Sequence, residues 1–184
     1  GLHDVILNLE KIGIKLDMID LGGGYPCNSY ASSNQELTIK DIAKSVIKVY
    51  KSLPYKPKLI LEPGRSIVAE SGILVASVIA RIERGNNVWL FLDAGVYNGL
   101  FESLSYQGSV RYKVSSMRPP HDQGEMLFSL AGPTGDSWDI ITREALLPRD
   151  ISIGDNLIFH DVGAYNTVFM NRFNGFPSTP VYYI

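Results

Sequence analysis

The sequence predicts an α/β unit followed by an antiparallel β module, and three observations carry that reading. Two short apolar runs, residues 16–21 and 59–61, alternate with stretches of helical periodicity in the first third of the chain. Both runs end on glycine-containing loops, which is the order of a unit with parallel strands. After about Ser71 the texture changes to alternating Val, Ile and Ala punctuated by Pro and Gly, the habit of a β module.

In chain order, Val5, Ile6, Leu9, Ile12 and Ile14 recur at near-helical spacing, so residues 2–15 predict a helix. Gly22-Gly23-Gly24 then breaks the first strand. Thr38 suits an N-cap, and Ile42, Val46, Ile47 and Tyr50 share one face of a helix running to about Ser52, stopped by Pro54 and Pro57. The second strand closes on Glu62-Pro63-Gly64-Arg65. Residues 73–83 and 88–92 predict two strands around a Gly85-Asn86-Asn87 turn. Further strands are predicted at 126–130, 139–142 and 156–160, with one more at 181–184. The boundary between units falls at residue 70, giving modules of 1–70 and 71–184.

Composition limits the function classes. Hydrophobic residues at 45% and charged residues at 20% are globular values. Lys+Arg is 17 against Asp+Glu 19, with no run of like charge, which argues against a nucleic-acid partner. The longest apolar run, 72–80, is about half a membrane helix, so no membrane partner is expected. A single cysteine, Cys27, excludes an intrachain disulfide and a thiolate-rich metal site, and it suits the cytoplasm. His3, His121 and His160 show no ligand spacing, so no metal is expected. The start lacks the features of a signal peptide, and Gly rather than Met at position 1 suits an internal fragment.

The loops carry the chemistry. Successive glycines after a strand expose backbone N–H groups where α/β folds gather ligands, and they admit a phosphate closely; a plain tight turn is the alternative. The string is not a Walker loop, since no Gly-Lys-Ser/Thr follows, and Pro26 interrupts a dinucleotide fingerprint. Glu62 and Arg65 close the second strand and belong at the same mouth. A carboxylate there suits a protonated heteroaromatic nitrogen and the guanidinium suits a phosphate, with a surface ion pair as the alternative. Cys27 reads as an inert thiol.

Six strings in register extend across nearly the whole chain: Asp20-Leu21-Gly22-Gly23-Gly24-Tyr25-Pro26, Glu62-Pro63-Gly64-Arg65, Asp93-Ala94-Gly95-Val96-Tyr97, Gly132-Pro133-Thr134 with Asp136, Gly163-Ala164-Tyr165 and Phe173-Asn174-Gly175-Phe176. Together they resemble the pyridoxal-phosphate decarboxylases of the ornithine/lysine/diaminopimelate type. The Asp136-Ser137-Trp138-Asp139 stretch and the Phe-Asn-Gly-Phe string favour the ornithine/lysine branch. The resemblance implies the last strands and helices of a (β/α)8 alanine-racemase-like barrel followed by an antiparallel β-barrel or sheet domain. It also implies a homodimer with active sites shared across the interface and a small amino-acid substrate.

By the same resemblance, Gly22, Gly23, Gly24, Gly64, Arg65 and Tyr165 bind the phosphate of pyridoxal 5'-phosphate, and Glu62 faces its ring nitrogen. Tyr97, Gln107 and Asp136 contact the substrate, and the catalytic positions are Gly135 and Asp136. Two positions depart from the pattern. The family's catalytic cysteine, which directs a proton after decarboxylation, is replaced by Gly135, and an aspartate that receives a distal ammonium is replaced by Gln107. The family's cofactor-holding lysine has no counterpart among the lysines present. The implied function is the C-terminal half of a decarboxylase of a basic or polar amino acid; the alternative is a catalytically silent homologue with a regulatory or binding role.

Overall fold

A computed structural model describes residues 1–27, 38–108, 112–118 and 124–184, the side chains of 105–108 excepted. Helix α1 (Leu2–Lys11) stops short of Lys15 because Gly13 turns the chain with φ +78°. Strand β1 (Met18–Asp20) pairs in parallel with β2 (Lys58–Ile60), Ile19 opposite Leu59. Helix α2 (Ile39–Ser52) lies between them in the chain. Its predicted cap is present: the Thr38 hydroxyl accepts from the Asp41 N–H at 3.3 Å. Ile6, Ile19 and Leu53 form the buried contact of this unit. Because the strands are parallel, the loops after Asp20 and Ile60 leave at the same end, bringing the glycine run beside Glu62.

Helix α3 (Arg65–Val68) and a 3-10 turn, Ala69–Ser71, lead into β3 (Ile73–Arg84). A tight turn at Gly85, φ +58°, returns the chain as β4 (Asn87–Leu92). After a 3-10 helix, Phe101–Gly108, come β5 (Val114–Ser116), β6 (Glu125–Ala131), β7 (Ile140–Pro148) and β8 (Asn156–His160). A short helix α4 (Asn166–Phe169) and a 3-10 turn, Phe173–Gly175, follow. The six strands form one sheet in the order β5-β8-β3-β4-β6-β7. Its two edge strands, β5 and β7, approach one another, so the sheet curls toward a barrel.

The structure corrects the sequence reading in four places. The sheet is mixed, because β4 and β6 run parallel while the other pairings are antiparallel. Residues 93–124 make the long crossover a parallel pairing requires, so Val88 lies opposite Phe128 in the same direction. Strand β5 was not predicted; its three residues are too short to show alternation. Residues 181–184 form no strand, with Tyr182 and Tyr183 exposed and unpaired with any strand. Finally, β7 begins at Ile140 and runs to Pro148, leaving Asp139 to a loop.

The core lies on the inner face of the sheet, where Leu90, Leu92, Phe128, Leu130, Leu157 and Phe159 are fully buried. Strand β4 alternates as expected: Val88, Leu90 and Leu92 point in, while Trp89 and Phe91 point out under the guanidiniums of Arg143 and Arg84. Phe128→Ala is expected to lower stability by about 3–5 kcal/mol through lost burial and a residual cavity, read from urea unfolding.

Candidate functional site

The glycine loop is built for close approach. A Cβ on Gly23 would stand 2.6 Å from the Glu62 carbonyl oxygen, so only glycine fits there. Gly22 and Gly24 take φ +68° and +79°, and nothing lies within 4 Å of a Cβ at either, which leaves that side of the loop open to a ligand. Two backbone bonds extend the strand register into the loop: Leu21 N–H to Ile60 O at 3.0 Å and Glu62 N–H to Gly22 O at 2.9 Å. The Glu62 carboxylate is exposed at this mouth.

Tyr165 reaches the loop from the far end of the chain. The segment after β8 is stitched to the entry of β3 by Val162 N–H to Gly72 O at 3.0 Å and Gly163 N–H to Ala69 O at 2.9 Å. Tyr165 then adopts φ +61°, unusual for a bulky residue. Its hydroxyl lies 3.3 Å from where a Gly64 Cβ would be, and its ring lies 5.2 Å below the Arg65 guanidinium. Of the residues assigned to a phosphate cradle from sequence, Gly22 and Gly23 meet Glu62 and lead on to Gly24, while Gly64 and Arg65, just after Glu62, meet Tyr165. The mouth suits a phosphoester: the N–H groups of Gly23 and Gly24, a cation and a half-exposed hydroxyl, with room beside them, while the Gly22 N–H donates to Asp20 Oδ1 at 2.8 Å.

Arg65 is engaged by a partner that sequence reasoning missed. Its Nη2 is bonded to Glu102 Oε1, and its Nε stands 3.4 Å from Oε2. Glu102 is nearly fully buried, and its backbone N–H donates to Asn166 Oδ1 at 3.5 Å. The Tyr112 hydroxyl donates to the same oxygen at 2.7 Å, and burial pushes the Tyr112 phenol well above its usual range. The partners lie far apart in sequence, so no local pattern signals them.

A second cluster forms at the 93–98 and 132–139 loops. The Tyr97 hydroxyl donates to Asp136 Oδ2, and its ring stacks on Phe173 at 4.3 Å. That hydrogen bond, with desolvation and the charges of Asp136 and Asp139, pushes the Tyr97 phenol up to about 12. Asp139, also missed, is the hub: its buried carboxylate accepts from Val96 N–H at 2.8 Å, Thr134 N–H at 3.1 Å and the Thr134 hydroxyl at 2.7 Å. Asp136 belongs to this cluster, whereas the cradle residues belong to the first. Two chain segments connect them, 97–102 from Tyr97 to Glu102 and 165–173 from Tyr165 to Phe173. Gly135 takes φ +75° with nothing within 4 Å of a Cβ. The Gln107 side chain, like His121, lies outside the described residues.

Residues 18–163 match the family model of the pyridoxal-dependent decarboxylase C-terminal sheet domain. The diaminopimelate decarboxylase of Archaeoglobus fulgidus is 31% identical over 178 residues, covering 95% of this chain and 41% of that protein. The ornithine decarboxylase of Schizosaccharomyces pombe is 31% identical over 186 residues, covering 96% and 40%. The crystal structure of lysine/ornithine decarboxylase complexed with cadaverine from Vibrio vulnificus is similar at a TM-score of 0.74 and 31% identity, covering 96% and 46%. The chain spans about two fifths of the length of the curated relatives it matches.

Two variants test the second cluster. Gly135→Ala has space but places a side chain at a left-handed backbone position, and it is expected to destabilise by about 1 kcal/mol in urea unfolding. Tyr97→Phe is expected to cost about 1 kcal/mol at neutral pH, since the hydrogen bond to a carboxylate is partly solvated. The folded phenol is raised above its unfolded value of about 10, so the difference between wild type and Tyr97→Phe is constant below about pH 10 and is lost as pH rises through about 12.

Proposed function

The chain belongs to the pyridoxal-dependent decarboxylases, and from that premise we propose that it supplies the phosphate cradle and C-terminal sheet domain of an enzyme that removes carbon dioxide from a basic or polar amino acid. The observation that carries the proposal is the convergence of Gly22–Gly24, Glu62, Gly64, Arg65 and Tyr165 on one mouth. Residues 1–70 would be the last part of the (β/α)8 barrel, a reading supported by the parallel β1–β2 pair and its flanking helices. Residues 71–184 would be the β domain.

Members of this family use pyridoxal phosphate, and when bound it supplies an electron sink for the pair released as carbon dioxide leaves. This chain's residues would do the rest. The N–H groups of Gly23 and Gly24, the Arg65 guanidinium and the Tyr165 hydroxyl would hold the phosphate, with Gly22, its N–H held by Asp20 Oδ1, shaping the loop. The exposed Glu62 carboxylate would keep a proton on the ring nitrogen. Asp136, oriented by the Tyr97 hydroxyl, would receive a substrate's distal ammonium. Gln107 would offer only a neutral amide, which supports a substrate range different from that of relatives with a carboxylate there.

The enzyme would be a cytoplasmic homodimer with active sites completed across the interface. The exposed Trp138, Val168, Phe169 and Phe173, close in sequence to Asp136 and Tyr165, support burial of that face. The ornithine/lysine branch rests on the 136–139 stretch and the Phe-Asn-Gly-Phe string at 173–176; overall identity to the diaminopimelate and ornithine enzymes named above is the same. A second reading, a catalytically silent homologue, is favoured by one observation, Gly135 in place of the family's cysteine.

The test uses the polypeptide that joins this chain to the family's cofactor-holding lysine. Gly23→Val is expected to abolish retention of pyridoxal phosphate, since the added side chain meets the Glu62 backbone. Tyr165→Phe is expected to weaken it by about tenfold or more, the worth of one hydrogen bond to a charged group. Unchanged affinity in both variants places the phosphate elsewhere. Carbon dioxide release from ornithine, lysine, arginine and diaminopimelate then separates the two readings: cofactor retained without turnover favours the silent homologue.

A further inference from the structure

We infer that Glu102 is a positioning residue for the cradle, holding the Arg65 guanidinium in one orientation over Tyr165 so that an incoming phosphoester meets a fixed cation. The inference rests on the cradle reading of Arg65 and Tyr165 given above. Its ground is the geometry behind Arg65, on the side away from sequence expectation. The side chain of Glu102 is 3% exposed and that of Arg65 is 13% exposed, so the pair is no solvated surface contact. Both carboxylate oxygens face the Nε–Nη2 edge of the guanidinium, a side-on arrangement directed at two of its five N–H bonds.

The main chain that carries Glu102 is itself held: its N–H donates to Asn166 Oδ1 at 3.5 Å, and the amide of Asn166 donates to Val162 O at 3.1 Å. Asn166 directly follows Tyr165, so one asparagine anchors both the residue that grips the guanidinium and the turn that presents the ring beneath it. The Tyr112 hydroxyl completes the anchor at 2.7 Å from Asn166 Oδ1. A long, rotamer-rich side chain is thus confined before any ligand arrives, which lowers the ordering cost of binding.

Two effects oppose each other when the Glu102 charge is removed. A carboxylate near the cradle repels a phosphate, so its loss favours binding. Loss of the grip lets the guanidinium turn away and forfeits its directed bonds to the phosphate. The repulsion acts across the guanidinium at longer range, whereas the hydrogen bonds from Arg65 are made at contact and depend on its orientation, so orientation wins and the net effect is weaker binding.

The experiment measures dissociation constants of the lysine-containing apoenzyme for pyridoxal 5'-phosphate and for pyridoxal. Both present the same aldehyde, so their ratio isolates the phosphate. Glu102→Gln is expected to weaken pyridoxal phosphate by about tenfold while leaving pyridoxal within about twofold. Arg65→Met is expected to weaken pyridoxal phosphate at least as much, and Arg65→Met/Glu102→Gln no more than Arg65→Met alone, because Glu102 acts through Arg65. Unchanged or tighter binding by Glu102→Gln, equal weakening of both ligands, or losses that multiply in the double variant would each overturn the inference. If Arg65→Met itself leaves the ratio unchanged, the cradle reading falls and the inference with it. Should Glu102→Gln not fold, Glu102→Asp, which keeps the charge on a shorter arm, is expected to weaken pyridoxal phosphate but not pyridoxal, and an unchanged ratio overturns the inference.

Discussion

The meeting of Tyr165 with Gly64 and Arg65 depends on a backbone seam at Gly72 and Gly163. A Cβ on Gly72 would stand 2.7 Å from the Gly163 Cα and N, so the two glycines let the strand-to-helix segment after β8 lie directly on the entry to β3. The seam is closed by the 3.0 Å and 2.9 Å bonds at Val162 and Gly163. Behind it Cys27, Ala69 and Ala164 pack as a small buried group, which gives the lone cysteine a packing role. With the β3–β8 pairing, this contact makes neighbours of residues far apart in sequence: Gly64 and Arg65 precede it, and Tyr165 follows it.

The second cluster is organised by charge rather than by close approach. Asp139 is 1% exposed, and its carboxylate is held by two backbone N–H groups and a hydroxyl. Donors of this number and kind hold an anion in a buried place at tolerable cost. Gly95 and Gly132 crowd the same carboxylate, so both loops are shaped around it. Asn98 accepts from Gly95 N–H at 2.7 Å and fixes the turn that carries Tyr97. Asp136 thereby sits on a rigid frame, with Tyr97 as its immediate partner.

The local parts of this architecture were legible in the sequence and the distant ones were not. Thr38 capped its helix, the 85–87 turn closed its hairpin, and the glycine run ended its strand because each depends on residues within a few positions. The parallel β4–β6 pairing depends on a crossover whose length carries no periodic signal. Glu102 lay in a short 3-10 helix with no pattern to mark it, and its importance comes from Arg65, which only the fold brings near. Asp139 precedes two isoleucines and carries no local mark of its role; its carboxylate serves the Val96 and Thr134 loops, and only the fold brings Val96 near. The resemblance could place the cradle residues one by one but was silent on what supports them.

The distribution of conformational cost bears on the choice between a phosphate-binding mouth and a plain scaffold. Tyr165 holds a left-handed backbone, where a bulky residue costs of order 1–3 kcal/mol. The buried Arg65–Glu102 pair adds little net stability, because desolvation offsets its attraction. Folding alone does not require either feature: glycine at 165 would relieve the backbone, and two apolar side chains would fill the space of the pair. Both costs fall on residues bordering the glycine mouth. At Gly135, by contrast, the left-handed backbone is occupied by glycine and carries no such cost. Strain at Tyr165 thus lies beside the mouth proposed to take a phosphate, which favours that proposal over a plain scaffold.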